Sequence, residues 1–316
     1  MNWKSGSVRN LHSILILAGL ATGCGGPSEE PREATGMKTE LNVYVASYPL
    51  QYFAERIGGE RVDVRFPAPA GVYPADWSPD AETVAGYQSA DLILLNGAEY
   101  EKWVSKVSLS QSKLVDTSAG FADRILHVEN AVTHSHGPEG EHSHGETASL
   151  TWLDMTLAVQ QARAIRDAFA KARAESEDYF QGRFESLEHD IMDIDTALTE
   201  RVAGKTDRRL LAAYPLYPYL ARRYQLDIDS LRYDPMRPAD MTANDFWHDL
   251  EHALEEHKAH WMFWEREPSA ETAEKLKGYG VGIVVFDPCG GRPSAGDFLT
   301  VMKGNVENLG KAFAQD

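Results

Sequence analysis

Between residues 177 and 205, apolar side chains recur every three or four positions: Phe180, Phe184, Leu187, Ile191, Ile194, Leu198 and Val202, with charged residues filling most of the gaps. That period winds a single apolar stripe along one face of a helix. No proline interrupts it, and Gly204 marks its end. At 1.5 Å per residue the helix reaches roughly 40 Å, enough to hold two compact units at a fixed separation.

The flanking patterns have a different period. Residues 41–46 are apolar and β-rich, 49–57 have helical spacing stopped by Gly58-Gly59, and 62–66 alternate as a strand. Strand, helix, strand implies a parallel sheet. A loop over 67–79, a helix from Asp80, a buried strand over 91–95 and a helix over 99–107 complete this reading. Beyond the long helix, 208–213, 260–264 and 281–286 read as strands separated by helical runs. The predicted fold class is therefore α/β: two parallel-sheet lobes, 39–174 and 206–316, bridged by the helix of 175–205. Ligands of such sheets collect at the carboxyl ends of the strands, which makes the loop after Phe66 a candidate site.

Composition narrows the partners. In 316 residues, 31 Lys and Arg face 48 Asp and Glu, a net charge of -17 that repels phosphate backbones and favours cations. Nucleic acid is excluded as an expected partner. Lys4 and Arg9 precede an apolar run over 11–21, and Ala21-Thr22-Gly23 lead into Cys24. The run is too short to span a bilayer and reads as a signal peptide, 1–23, with Cys24 as a lipid-attachment residue. Residues 24–38, rich in Gly, Pro, Ser and Glu, read as a flexible tether. The expected protein is exported and membrane-anchored through lipid. With two cysteines in all, Cys289 has no disulfide partner if Cys24 carries lipid.

Several short segments, in their order and spacing, resemble the zinc/manganese-type, TroA-like solute-binding lipoproteins of ABC importers. They are Val45-Ala46-Ser47-Tyr48-Pro49, Ile57-Gly58-Gly59-Glu60-Arg61-Val62, Ala90-Asp91-Leu92-Ile93-Leu94-Leu95-Asn96-Gly97, Glu101-Lys102-Trp103, Trp152-Leu153-Asp154, Phe286-Asp287-Pro288 and the terminal 305–313. The resemblance implies two α/β lobes on one rigid helix and a metal held between them. It also implies a membrane permease as partner and a binding role rather than an enzymatic one; a monomer is expected. Between 132 and 146, His134, His136, His142 and His144 alternate with Gly, Ser and Glu. Imidazoles and carboxylates in that density suit zinc, copper or nickel, and zinc-handling members of this family carry similar loops.

The family's metal is held by three histidines and a carboxylate. The matching positions here carry Ala75, Leu150, Tyr214 and Asp287, so the usual N₃O zinc site cannot form from them. Three readings follow. Asp76, Tyr214, Asp287 and Cys289 could offer a site to iron(III) or another oxygen-preferring cation. Trp77, Trp152, Tyr214 and Asp287 could line an aromatic cleft for a small organic cation, with no metal. Or the cleft binds nothing. On the helix near 244–257, His248 and His252 stand four apart with Glu255 on the same face, a geometry capable of holding a transition metal. No nucleophile elbow, phosphate-cradling glycine loop or HExxH motif is present.

Overall fold

The computed structural model describes residues 40–128, 146–205, 207–235 and 242–314. Cys24, the tether and the four histidines between 132 and 146 lie outside the described residues. In chain order the elements are β1 (Leu41–Val45), α1 (Tyr48–Gly58), β2 (Val62–Arg65), α2 (Ala81–Ser89), β3 (Leu92–Leu95), β4 (Leu114–Asp116), the short pair β5 (His127–Val128) and β6 (Glu146–Thr147), α3 (Met155–Ala172) and α4 (Glu177–Val202). Then follow β7 (Arg209–Ala212), α5 (Pro218–Tyr224), β8 (Asp227–Ser230), α6 (Ala243–His257), β9 (Trp261–Trp264), α7 (Ala270–Gly278), β10 (Gly282–Val285) and α8 (Phe298–Ala312).

Local chemistry sets the helix starts. Asp80, Asp154, Thr242, Ser269 and Asp297 each accept a hydrogen bond from a first-turn backbone N–H, capping α2, α3, α6, α7 and α8. Pro49 and Pro218 open α1 and α5 where a missing N–H costs nothing. The first sheet runs β2-β1-β3-β4 and the second β10-β9-β7-β8, and every pairing within them is parallel.

The stripe on α4 is the buried face, from Phe180 to Val202. It packs against α1 and α3 of the first lobe and against α5 and α8 of the second. Asp195 lies within this apolar stripe and is 4% exposed. Its carboxylate accepts hydrogen bonds from Arg223 Nε at 2.9 Å and Nη2 at 2.5 Å, and from the Tyr224 hydroxyl at 3.0 Å. A buried charge is tolerated because each partner is in place.

The helix expected over 99–107 does not form; only a single turn of 3-10 helix, Val104–Lys106, is present. Gly97, Ala98 and Glu99 all adopt left-handed backbone, with φ of 75°, 48° and 59°. The Glu101 carboxylate, instead of pointing outward from a helix, accepts from the backbone N–H groups of Asn96 at 2.5 Å and Gly97 at 3.2 Å. The edge strands β4 and β8 were not legible in the pattern. β8 reads Asp-Ile-Asp-Ser, with only its isoleucine apolar.

Loops at the carboxyl ends of the two sheets meet directly. The segment after β10 reaches the first lobe in three places: Tyr48 N donates to Gly290 O at 3.0 Å, Trp152 Nε1 to Pro288 O at 2.7 Å, and Arg292 Nη2 to Phe66 O at 2.9 Å. One apolar core runs through the junction, joining Leu94, Tyr100 and Trp152 to Tyr217, Phe286 and Cys289.

Candidate functional site between the lobes

The four positions that the resemblance assigns to metal ligands divide into two kinds. Ala75 and Leu150 are buried at 9% and 4% exposure and belong to the apolar core, so they fill space where imidazoles would need room and a metal. Tyr214 follows β7 and Asp287 follows β10; both are partly buried.

Asp287 is held with precision. Its backbone N–H donates to Asn305 Oδ1 at 2.9 Å and its carbonyl accepts from Asn305 Nδ2 at 2.7 Å, so α8 clamps the main chain. Its Oδ1 accepts the Cys289 N–H at 2.7 Å, which closes a tight turn and places Cys289 at φ 59°. Burial raises the Asp287 carboxyl above the usual range, against the opposing pull of the Cys289 N–H and of Arg266.

The aromatic and thiol candidates sit deeper than expected. Trp152 is fully enclosed: its indole is edge-on to Tyr100 at 5.5 Å, and its N–H is spent on Pro288 O. It forms part of the wall between the lobes and does not face an open cleft. Cys289 is 1% exposed, and burial, with the Asp287 and Asp297 carboxylates adding, pushes its thiol far up. That disfavours the thiolate, the form that binds metal. Trp77 is half-buried, edge-on to Trp103 at 6.4 Å, and Asp76 beside it is exposed.

Glu265, which the sequence reading passed over, belongs to this region. It follows β9 as Asp287 follows β10, its side chain is partly buried, and it pairs with Arg266 Nη2 at 2.8 Å. Burial raises its carboxyl, Arg266 opposes this, and the charges of Asp234 and Asp287 raise it further. In sheet order, the carboxyl ends of β10, β9, β7 and β8 thus lead into Asp287, Glu265, Tyr214 and Asp234. From the first lobe, Tyr100 comes within electrostatic range of Glu265 and Asp76. Tyr100 is 1% exposed, and its hydroxyl has no hydrogen-bond partner among the described residues. Tyr217, equally buried, donates to Phe286 O at 2.8 Å. The available signal for Glu265 was its place immediately after an apolar strand, the same signal that marks Asp287.

The region therefore offers oxygen atoms under net negative charge and no imidazole among the described residues. Among those residues no three His, Cys, Asp or Glu side chains converge as a metal ion would require. Among them, too, no helix is long and apolar enough to cross a membrane.

Comparison with known proteins places this architecture. The chain is 25% identical over 290 residues to the zinc-binding lipoprotein AdcA of Streptococcus pneumoniae, which covers 88% of this chain but only 56% of AdcA. It thus spans about half the length of that relative. It is 25% identical over 270 residues to the high-affinity zinc uptake system protein ZnuA of Bacillus subtilis, covering 81% and 80% of the two chains. The crystal structure of the Zn(II)-bound ZnuA-like domain of S. pneumoniae AdcA superposes with a TM-score of 0.72 at 20% identity, covering 87% of this chain and all of that one. The family model described as ZnuA, zinc-uptake complex component A, periplasmic, matches residues 43–312, and the chain belongs to that family.

Proposed function

We propose that this chain is the exported, lipid-anchored solute receptor of an ABC-type importer, a binding protein and not an enzyme, and that its cargo is a cation contacted by oxygen atoms. The observation that supports this most directly is the pair of carboxylates Asp287 and Glu265 after the neighbouring parallel strands β10 and β9, with Asp234, beyond β8, in electrostatic range of Glu265, in a chain of net charge -17. Arg266 already pairs with Glu265 and acts on Asp287, yet burial still raises both carboxyls, a cost that a further positive group would relieve. Its relatives are named for zinc or manganese binding, which makes a metal ion the first cargo to consider. In that reading Asp287, Glu265 and Tyr214 supply the hard oxygen donors, iron(III) being the ion they suit best, and His134, His136, His142 and His144 gather zinc-like ions.

A second reading, an organic cation, is favoured by one feature. The carboxylates interact without converging, and Asp287 Oδ1 is already engaged by the Cys289 N–H. An ammonium or guanidinium group tolerates that spread; a bare metal ion does not.

Elemental analysis of the purified mature protein, beside its Asp287→Asn and Glu265→Gln variants, separates the two. A metal cargo gives one tightly held equivalent that both variants lose. An organic cargo gives no such equivalent, while a diamine or guanidinium compound shifts the tryptophan fluorescence of the parent protein alone. If no cation of either class distinguishes parent from variants, the cation reading fails. The anchor is tested separately: Cys24→Ala releases the protein from the membrane fraction, and a parent protein already soluble and unlipidated refutes it.

A further inference from the structure

Away from the interlobe region, α6 carries a pair of metal-binding side chains that the reading above does not use. Phe246 and Leu250 are fully buried beneath this helix and fix it on the second sheet, where Tyr233 stacks on Phe246 at 4.3 Å. Thr242 caps its start by accepting the Asp245 N–H. The opposite face is solvent-exposed and presents His248 and His252. Their rings lie edge to face with centroids 4.6 Å apart. Neither imidazole takes part in a hydrogen bond or ion pair among the described residues. Glu255, one turn on, is exposed on the same face.

We propose that His248 and His252 form a surface chelate for one divalent transition-metal ion of borderline softness, Zn²⁺, Ni²⁺ or Cu²⁺. Side chains four apart on a helix stand about 5–6 Å apart at Cβ. Two nitrogens at about 2.0–2.1 Å from a common metal fit that spacing with a small side-chain rotation. The helix supplies the preorganisation: its buried face and cap are already ordered, so binding freezes only two side chains. Among the described residues no third His, Cys, Asp or Glu converges on the pair, so water completes the coordination. Glu255 adds negative charge nearby, which raises the local cation concentration. A two-imidazole site holds its ion weakly and exchanges it with solution. Copper binds tightest of the three, following the general order of divalent affinities.

Paramagnetic broadening tests this on the intact mature chain. Cu²⁺ added stepwise to isotope-labelled protein should broaden backbone amide signals of α6 and its neighbours. His248→Gln and His252→Gln should each weaken this at least about tenfold, and the double variant should abolish it. Broadening elsewhere, from the histidines between 132 and 146, should be the same in all four proteins, which separates the two sources of binding. Both histidines are exposed, so circular dichroism melts of the variants should match the parent and show that folding is intact. Sharp α6 signals in the parent at several-fold excess of Cu²⁺, or broadening that persists in the double variant, overturn the proposal. The cation reading of the interlobe region stands or falls separately.

Discussion

Trp152→Phe tests whether the junction between the lobes is a sealed core or an open, ligand-lined cleft. The substitution keeps an aromatic ring against Tyr100 but removes the indole N–H, leaving the buried Pro288 carbonyl without its donor. An unsatisfied buried carbonyl costs about 1–3 kcal/mol. The smaller ring opens roughly 40 Å³, worth about 1 kcal/mol at ~24 cal/mol per Å³. Together the loss is about 2–4 kcal/mol, a large share of the stability of an ordinary domain. Urea unfolding followed by far-ultraviolet circular dichroism reads it as a lower midpoint with unchanged slope. Trp77→Phe, at a half-buried ring, serves as the control and should cost less than about 1 kcal/mol. If Trp152 lined an open cleft, its truncation would be nearly neutral and its fluorescence accessible to acrylamide. A loss below about 0.5 kcal/mol would refute the sealed-junction argument.

Asp195→Ala strands Arg223 and the Tyr224 hydroxyl beside α4, and should lower stability by about 2–4 kcal/mol, the lower end reflecting the water that the partly exposed Arg223 can reach. An unchanged urea midpoint would show that the pair contributes nothing net. Burial pushes the Glu101 carboxyl up to about 8, overcoming the N–H groups of Asn96 and Gly97 that favour the charged form. Because its folded value lies above its unfolded one, the stability it contributes is full below the ordinary carboxylate range and is lost as pH rises through about 8. Its slope is at most about 1.4 kcal/mol per pH unit. Glu101→Gln should flatten the stability profile between pH 5 and 8 by roughly that slope, and an identical profile would contradict the assignment. Gly97→Ala places a methyl onto Asp116 Oδ1 and Ser118 Oγ at a left-handed φ of 75°. It should cost at least about 2 kcal/mol in thermal or urea unfolding, and a neutral result would mean that this loop relaxes freely.

Much of the fold was legible because it is recorded locally. The stripe from Phe180 to Val202 fixes both the existence of α4 and its buried face, and the apolar runs ending at Val45, Leu95, Ala212 and Trp264 are the central strands of their sheets. The positions that the resemblance matches to the family's histidines, Ala75, Leu150 and Tyr214, are picked out by their neighbours in the chain. The expected helix over 99–107 failed because Glu101 satisfies backbone donors of the loop four and five residues before it, a local loop-closing use of a residue that also favours helices. Trp152 read as a cleft residue because an aromatic beside a binding motif looks the same whether it is exposed or enclosed. The Pro288 carbonyl, far along the chain, decides which.

By itself, then, the sequence determined the long helix and the central strands, the two-lobed division and the negative charge, all of which depend on composition or on neighbours within one or two turns. Only the tertiary structure decided that Asp195 is neutralised within an apolar stripe, that Glu265 joins Asp287 at the carboxyl end of one sheet, and that Tyr100 comes within range of Glu265 from the other lobe. The reason is topological. Parallel strands joined by crossover helices bring the ends of distant segments into register, and no local period encodes which ends will meet.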